Sequence, residues 1–99
     1  MKDKSITRIV RLTFSEDTIE SFKKLYDKHS EAISNQPGCL GVELMRDASN
    51  PFVRATISRW EDEESLNVYR KSELFGQVWP ATKVLFKEVP EVWTYRSIV

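Results

Sequence analysis

Residues 6–44, ITRIVRLTFSEDTIESFKKLYDKHSEAISNQPGCLGVEL, change their hydrophobic period twice. From Ile6 to Phe14 the pattern alternates: Ile6, Val10, Leu12 and Phe14 share one face with Arg8, while Thr7, Ile9, Arg11 and Thr13 share the other. That is the period of a β-strand. Ser15-Glu16-Asp17 then offers helix N-cap chemistry, and Asp17 to Glu20 has capping-box spacing. Ile19, Phe22, Leu25, Tyr26, His29, Ala32 and Ile33 follow at helical spacing, one stripe for burial against a sheet. Asn35-Gln36-Pro37-Gly38 stops the helix. Cys39 to Asp47 alternates again, with Leu40, Val42 and Leu44 facing one way and Glu43 the other.

The rest of the chain extends this strand-helix-strand start. Asp47-Ala48-Ser49-Asn50-Pro51 is a turn by composition, and the β-rich run Phe52 to Trp60 behind it predicts an antiparallel hairpin. Acidic residues 61 to 64 stand where a helix N-terminus favours negative charge. Leu66, Tyr69 and Phe75 give that helix an apolar side. Pro80 lacks an N–H, so a helix reaching it is expected to kink or restart there, with a further segment over 81–87. Glu91 to Ile98, with Trp93 and Tyr95, reads as the last strand. The order β-α-β-β-α-β predicts an α+β, ferredoxin-like split fold: one antiparallel sheet with helices on one face. Ile9, Val53 and Ile57 are expected on the bare face, where apolar surface left in water costs roughly 25 cal/mol per Å². A homodimer formed through the sheet faces is therefore expected.

The chain has 99 residues, with 15 basic and 15 acidic side chains and a formal charge of zero. A single domain over 1–99 suits that length, and a chain of this size buries roughly 60–65% of its unfolded surface. One core fits; a core plus a deep, self-contained site does not, so a partner subunit is expected to help enclose any pocket. The balanced charge carries neither a nucleic-acid footprint nor a membrane-binding basic face. No apolar run approaches a membrane span, and MKDKSITRIVRLTF at the start lacks the apolar stretch of a signal peptide. The lone cysteine, Cys39, cannot form an internal disulfide and fits a reducing compartment, so a cytoplasmic location is expected.

Chemistry must come from a small inventory. One His and one Cys do not make a zinc or non-haem iron cluster, so no metal site is expected. Gly38 and Gly41 form no phosphate-binding loop, and a dinucleotide fingerprint is absent. Cys39 reads as a buried, inert thiol. His29 lies on the apolar stripe of the first helix. It is either a boundary histidine hydrogen-bonded to backbone or carboxylate, or a general base at a cavity mouth, since an imidazole ordinarily titrates near neutral pH. Arg54, Thr56, Ser58 and Trp60 share one strand face. It either borders a pocket or is a solvated or dimer-lining face paired with Glu43.

Four stretches together resemble the antibiotic biosynthesis monooxygenase family: RIVRLTFSED, PGCLGVELMRD, SRWEDEESLNVYRKSELF and the VWP that follows. The resemblance spans nearly the whole chain and implies a dimeric α+β barrel of ferredoxin-like type. It implies oxygenation of flat hydroxylated aromatics, quinols or polyketides, with neither metal nor flavin. No cofactor is then expected. The pocket would lie between sheet and helices, with Trp60, Tyr69, Phe75 and Trp79 as a wall that is part core and part cavity. His29 would be the base, and Arg8, Arg54 or Arg59 would donate to a developing oxyanion, Arg54 standing with the aromatics as a binding residue. A haem-degrading branch of the family carries a helical His ligand. Here Trp79 follows Ser72 and Phe75 at that place, and an indole N–H is a donor only. That branch's haem-facing tryptophan and first-strand asparagine would fall near Tyr69 and Ile9, so haem degradation is disfavoured. The alternative to an enzyme is a non-catalytic ligand-binding or stress-response module with the same cavity.

Overall fold

The computed structural model describes residues 3–98. Met1, Lys2 and Val99, which belong to the expected 1–99 domain, lie outside the described residues. Strand β1 (Ile6–Thr13) leads into helix α1 (Ile19–Ser34) and strands β2 (Cys39–Arg46) and β3 (Val53–Trp60). Helices α2 (Glu63–Arg70) and α3 (Glu73–Lys83) precede strand β4 (Glu91–Arg96). The sheet is antiparallel with the order β2-β3-β1-β4. Strand β3 is thus inserted between the two strands that α1 connects, which is the split ferredoxin-like arrangement. Among the described residues no helix is long and apolar enough to cross a membrane.

Register decides which side chains meet the helices. Ile6 lies opposite Trp60, Arg8 opposite Ser58 and Val10 opposite Thr56. On the other side of β3, Val42 pairs with Ser58 and Leu44 with Thr56. Since alternate residues share a face, these rows form the helix-covered surface. Two apolar clusters build on it. Val10, Leu12, Phe14 and Phe22 form one, with Ile19, Tyr26, Leu44, Leu85 and Phe86 against them. Ile6, Trp60 and Leu66 form the other, with Cys39 and Tyr69. The open face carries Ile9 opposite Ile57 and Trp93, with Thr7 beside Tyr95 and Met45 beside Ala55. Met45, Trp93 and Tyr95 are 49%, 40% and 57% exposed. Val53 alternates with this face but is itself buried, so it adds nothing to the exposed band.

Three local expectations are corrected. The Asp17–Glu20 capping box does not form: α1 starts after Thr18, which makes no side-chain cap. Instead the Ser15 N–H donates to Thr18 Oγ1 at 3.1 Å, and the two hydroxyls lie 3.2 Å apart. Leu40 does not face the same way as Val42, because the register shifts between Cys39 and Gly41 and leaves Leu40 in a bulge, 55% exposed. The helix break falls at Lys71-Ser72, not at Pro80. Ser72 is extended and its Oγ accepts from the Phe75 N–H at 3.1 Å, capping a new helix. Pro80 sits inside α3, which continues to Lys83. A proline there forgoes one intrahelical bond, to the Gly76 carbonyl, while the extended cap at Ser72 ends the preceding helix outright.

Candidate functional site

A cavity of about 120 Å³ separates the two apolar clusters. The sheet supplies its floor: Arg8, Val10 and Leu12 from β1, Val42 from β2, and Thr56, Ser58 and Trp60 from β3. Helix α1 contributes Phe22, Leu25, Tyr26, His29 and Ile33 as one wall. Leu66, Tyr69 and Arg70 of α2, with Phe75, Val78, Trp79 and Thr82 of α3, form the other. Apolar cavities of roughly 150 Å³ take up a benzene ring, so this space has the scale of a single aromatic ring.

The expected aromatics do form the wall, and they do so as a succession of touching rings. Trp60 stacks on Tyr69 at 5.2 Å and 22°, Tyr69 meets Phe75 edge-on at 5.3 Å, and Phe75 stacks on Trp79 at 5.9 Å and 14°. The line continues from Trp79 through Phe86, Phe14 and Phe22 to Tyr26. The break at Ser72 explains the geometry. Tyr69 and Trp79 lie on different helices, and Phe75, one turn before Trp79 on α3, bridges them. Each offset or edge-on pair contributes about 0.5–1.5 kcal/mol beyond its buried area.

Trp60 is wholly buried, at 0% exposure, yet its indole Nε1–H has no hydrogen-bond partner. Leaving such a donor unmade costs about 1–3 kcal/mol. The Tyr69 hydroxyl is pushed up to about 12 by burial, with Cys39 adding to the shift and Arg8 opposing it. Tyr69 is therefore a neutral donor at physiological pH. Burial also raises the Cys39 thiol, against a smaller opposing effect of the Gly41 N–H. The buried Thr82 hydroxyl donates to the Val78 carbonyl at 2.7 Å, so it is already satisfied.

His29 reaches the cavity from α1, half-buried. Among the described residues it makes no side-chain hydrogen bond, so the carboxylate- or backbone-bonded alternative is not what the fold provides. Arg54 does not line the cavity. It sits at the hairpin end of β3, where its guanidinium folds back to donate to the Pro51 carbonyl at 2.7 Å and the Val53 carbonyl at 3.3 Å. Arg59 alternates onto the open face, and so does Glu43, opposite Ile57. The Thr56-Ser58-Trp60 face is accordingly cavity floor and not a Glu43-paired surface. The arginine that enters is Arg8, joined by Arg70. Burial, then the nearby Arg70 charge, draws the Arg8 guanidinium below its usual range. Arg70, itself exposed, borders the cavity because its spacing from Leu66 (i, i+4) puts it on the cavity side of α2.

The family model for antibiotic biosynthesis monooxygenases matches residues 5–79. A conserved protein from Methanosarcina mazei Go1 superposes with a TM-score of 0.91 at 20% identity, covering 96% of this chain and 94% of that one. A Nitrosomonas europaea protein, provisionally named an antibiotic biosynthesis monooxygenase, gives 0.90 at 13% identity, over 99% and 94% of the two chains. Rv0793 of Mycobacterium tuberculosis gives 0.88 at 16% identity, over 96% of each. At these identities the likeness is one of fold. Among curated proteins no sequence match was found.

Proposed function

Because this chain belongs to the antibiotic biosynthesis monooxygenase family, we propose that it oxygenates a small hydroxylated aromatic, of quinol or polyketide type, in the cavity between sheet and helices. The observation that carries the reading is the ring-walled cavity, whose lining includes Trp60 with its buried indole N–H unpartnered. A hydroxylated ring would fill the apolar space and accept from that donor. For a hydroquinone the reaction balances without an added reductant: hydroquinone and dioxygen give hydroxyquinone and water. Two of the four electrons come from converting quinol to quinone, and two from the ring carbon that exchanges C–H for C–OH. One oxygen atom enters the ring and the other leaves as water.

The residues divide this work. His29 accepts the substrate's hydroxyl proton, which makes the ring electron-rich enough to reduce oxygen. Arg8, Tyr69 and the Trp60 N–H donate to the anion that forms. The apolar walls exclude water, so those donors act in a low dielectric. A second copy packs on the open sheet face and covers Met45, Trp93 and Tyr95, completing the barrel. A cytoplasmic location fits the same reading, with Cys39 as a free thiol.

Oxygen uptake by purified protein with a panel of one- and two-ring quinols tests the proposal. The expected result is protein-dependent uptake that falls about 100-fold or more in His29→Ala and is also lost in Trp60→Ala. No protein-dependent uptake with any quinol would overturn it. One observation favours a second reading, a binding module without turnover: no described side chain orients His29, whereas a catalytic base is ordinarily held by a third group. Quinol binding without oxygen uptake would establish that reading instead.

A further inference from the structure

We propose that Arg8 and Arg70 form an anion-binding end of the cavity, and that its ligand is a one-ring aromatic bearing a carboxylate or an ionised ring hydroxyl. This deepens the reading above and rests on it in one respect, that an aromatic ring enters the cavity.

Both arginines line the same space, Arg8 from the floor and Arg70 from α2. Neither has an ion-pair partner among the described residues. The row that holds Arg8 runs Val42, Ser58, Arg8, Thr94 across the sheet, with Trp60 and Arg96 as diagonal neighbours. No carboxylate stands in that patch, and Glu63 is taken by Arg96 at 3.1 Å. The fold thus brings the half-buried Arg8, with the exposed Arg70 at the rim, to a largely apolar cavity without a carboxylate to compensate them. Partly buried charges are ordinarily paired, because their desolvation is otherwise unreturned. A ligand anion would supply the missing charge.

Every other polar group at this end can donate, although the Ser58 hydroxyl opposite Arg8 can also accept. A guanidinium and an indole N–H can only donate, and a neutral phenol donates readily. Trp60 is diagonal to Arg8 on the floor, about 7–8 Å away by backbone spacing and closer between side chains. Tyr69 is stacked on it. A corner of donors without an acidic acceptor calls for an acceptor-rich oxygen. A bare inorganic anion would answer the arginines but leave the ring-lined remainder empty. A ring carrying the anion meets both requirements, and the cavity's scale suits one ring.

The test is a fluorescence titration, following tryptophan emission, with benzoate, its neutral isostere benzamide, and 4-nitrophenol. It uses wild type, Arg8→Gln and the more exposed Arg70→Gln, which keeps the test valid if Arg8→Gln folds poorly. Benzoate is expected to bind at least about tenfold tighter than benzamide, the scale of one charge-assisted hydrogen bond. Each glutamine variant should remove most of that preference, weakening benzoate far more than benzamide. Bound 4-nitrophenol should turn to its yellow ionised form at a lower pH than free 4-nitrophenol. Preference for benzoate alone assigns the anion as carboxylate, and a nitrophenol shift alone assigns it as ring oxygen. If benzamide and neutral nitrophenol bind as well as the anions in all three proteins, this proposal falls and the aromatic cavity stands. If no ring compound binds, both fall.

Discussion

The indole of Trp60 and the phenol ring of Tyr69 lie stacked, 5.2 Å between centroids and 22° between planes. The contact joins the end of β3 to α2 and forms one corner of the cavity. Tyr69→Leu loses the stacked pair and part of the ring's buried area, and should cost about 2–3 kcal/mol. Tyr69→Phe keeps the ring and should cost less than about 1 kcal/mol. Denaturant unfolding of the three proteins measures the difference; equal losses in both variants would show that the hydroxyl, not the stacking, supports this corner.

The same hydroxyl predicts an alkaline weakness. Its ordinary value of 10.0 is raised to about 12 in the fold. Between those values the unfolded chain releases a proton that the folded chain retains, so unfolding is favoured as pH rises. The contribution is intact below about pH 10 and lost as pH climbs through about 12. The comparison that isolates Tyr69 is wild type against Tyr69→Phe. The variant should lose less stability over this range; parallel curves would refute the assignment.

Gly38 joins the end of the first crossover to α2. It has φ of +79°, its carbonyl accepts from the Glu61 N–H at 2.8 Å, and a Cβ there would collide with the Ser65 side chain. Gly38→Ala should cost at least about 2 kcal/mol from backbone strain and collision. Gly76 in α3 has open space where a Cβ would stand, and Gly76→Ala should stabilise by up to about 1 kcal/mol. Thermal unfolding of both variants should move in opposite directions.

The open sheet face predicts a dimer. Light scattering of wild type should give twice the chain mass. Trp93→Glu, which puts a charge beside Ile9 and Ile57, should give the single-chain mass. Val84→Glu should not change it, since Val84 is 79% exposed at the end of α3, a helix that covers the opposite face of the sheet. A monomeric wild type at high concentration would contradict the barrel proposed here.

Strand β1 and helix α1 were legible because one face of each packs inward, and burial writes its period into the sequence. Ile6 to Phe14 and the stripe from Ile19 to Ile33 fall where the alternation and helical spacing put them. The wall of Trp60, Tyr69, Phe75 and Trp79 followed from the family resemblance. What escaped depends on competition between local options. Pro80 looked like the stronger helix breaker, but Ser72, a good N-cap before Glu73, was the residue that decided the break. Arg54 shares the inward face with Ser58, yet the nearby Pro51 and Val53 carbonyls satisfy it first. Arg8 and Arg70 enter the cavity through three-dimensional proximity that no linear spacing records.

Oxygenation within the cavity is the claim on which the account rests, and labelled dioxygen tests it most directly. Wild-type protein is incubated with a one-ring hydroquinone under heavy-oxygen-labelled dioxygen, and the product is weighed by mass spectrometry. One labelled oxygen atom is expected in each hydroxyquinone formed, with the second in water and turnover about 100-fold or more slower in His29→Ala. An unlabelled quinone, with the consumed oxygen recovered as hydrogen peroxide, would contradict it.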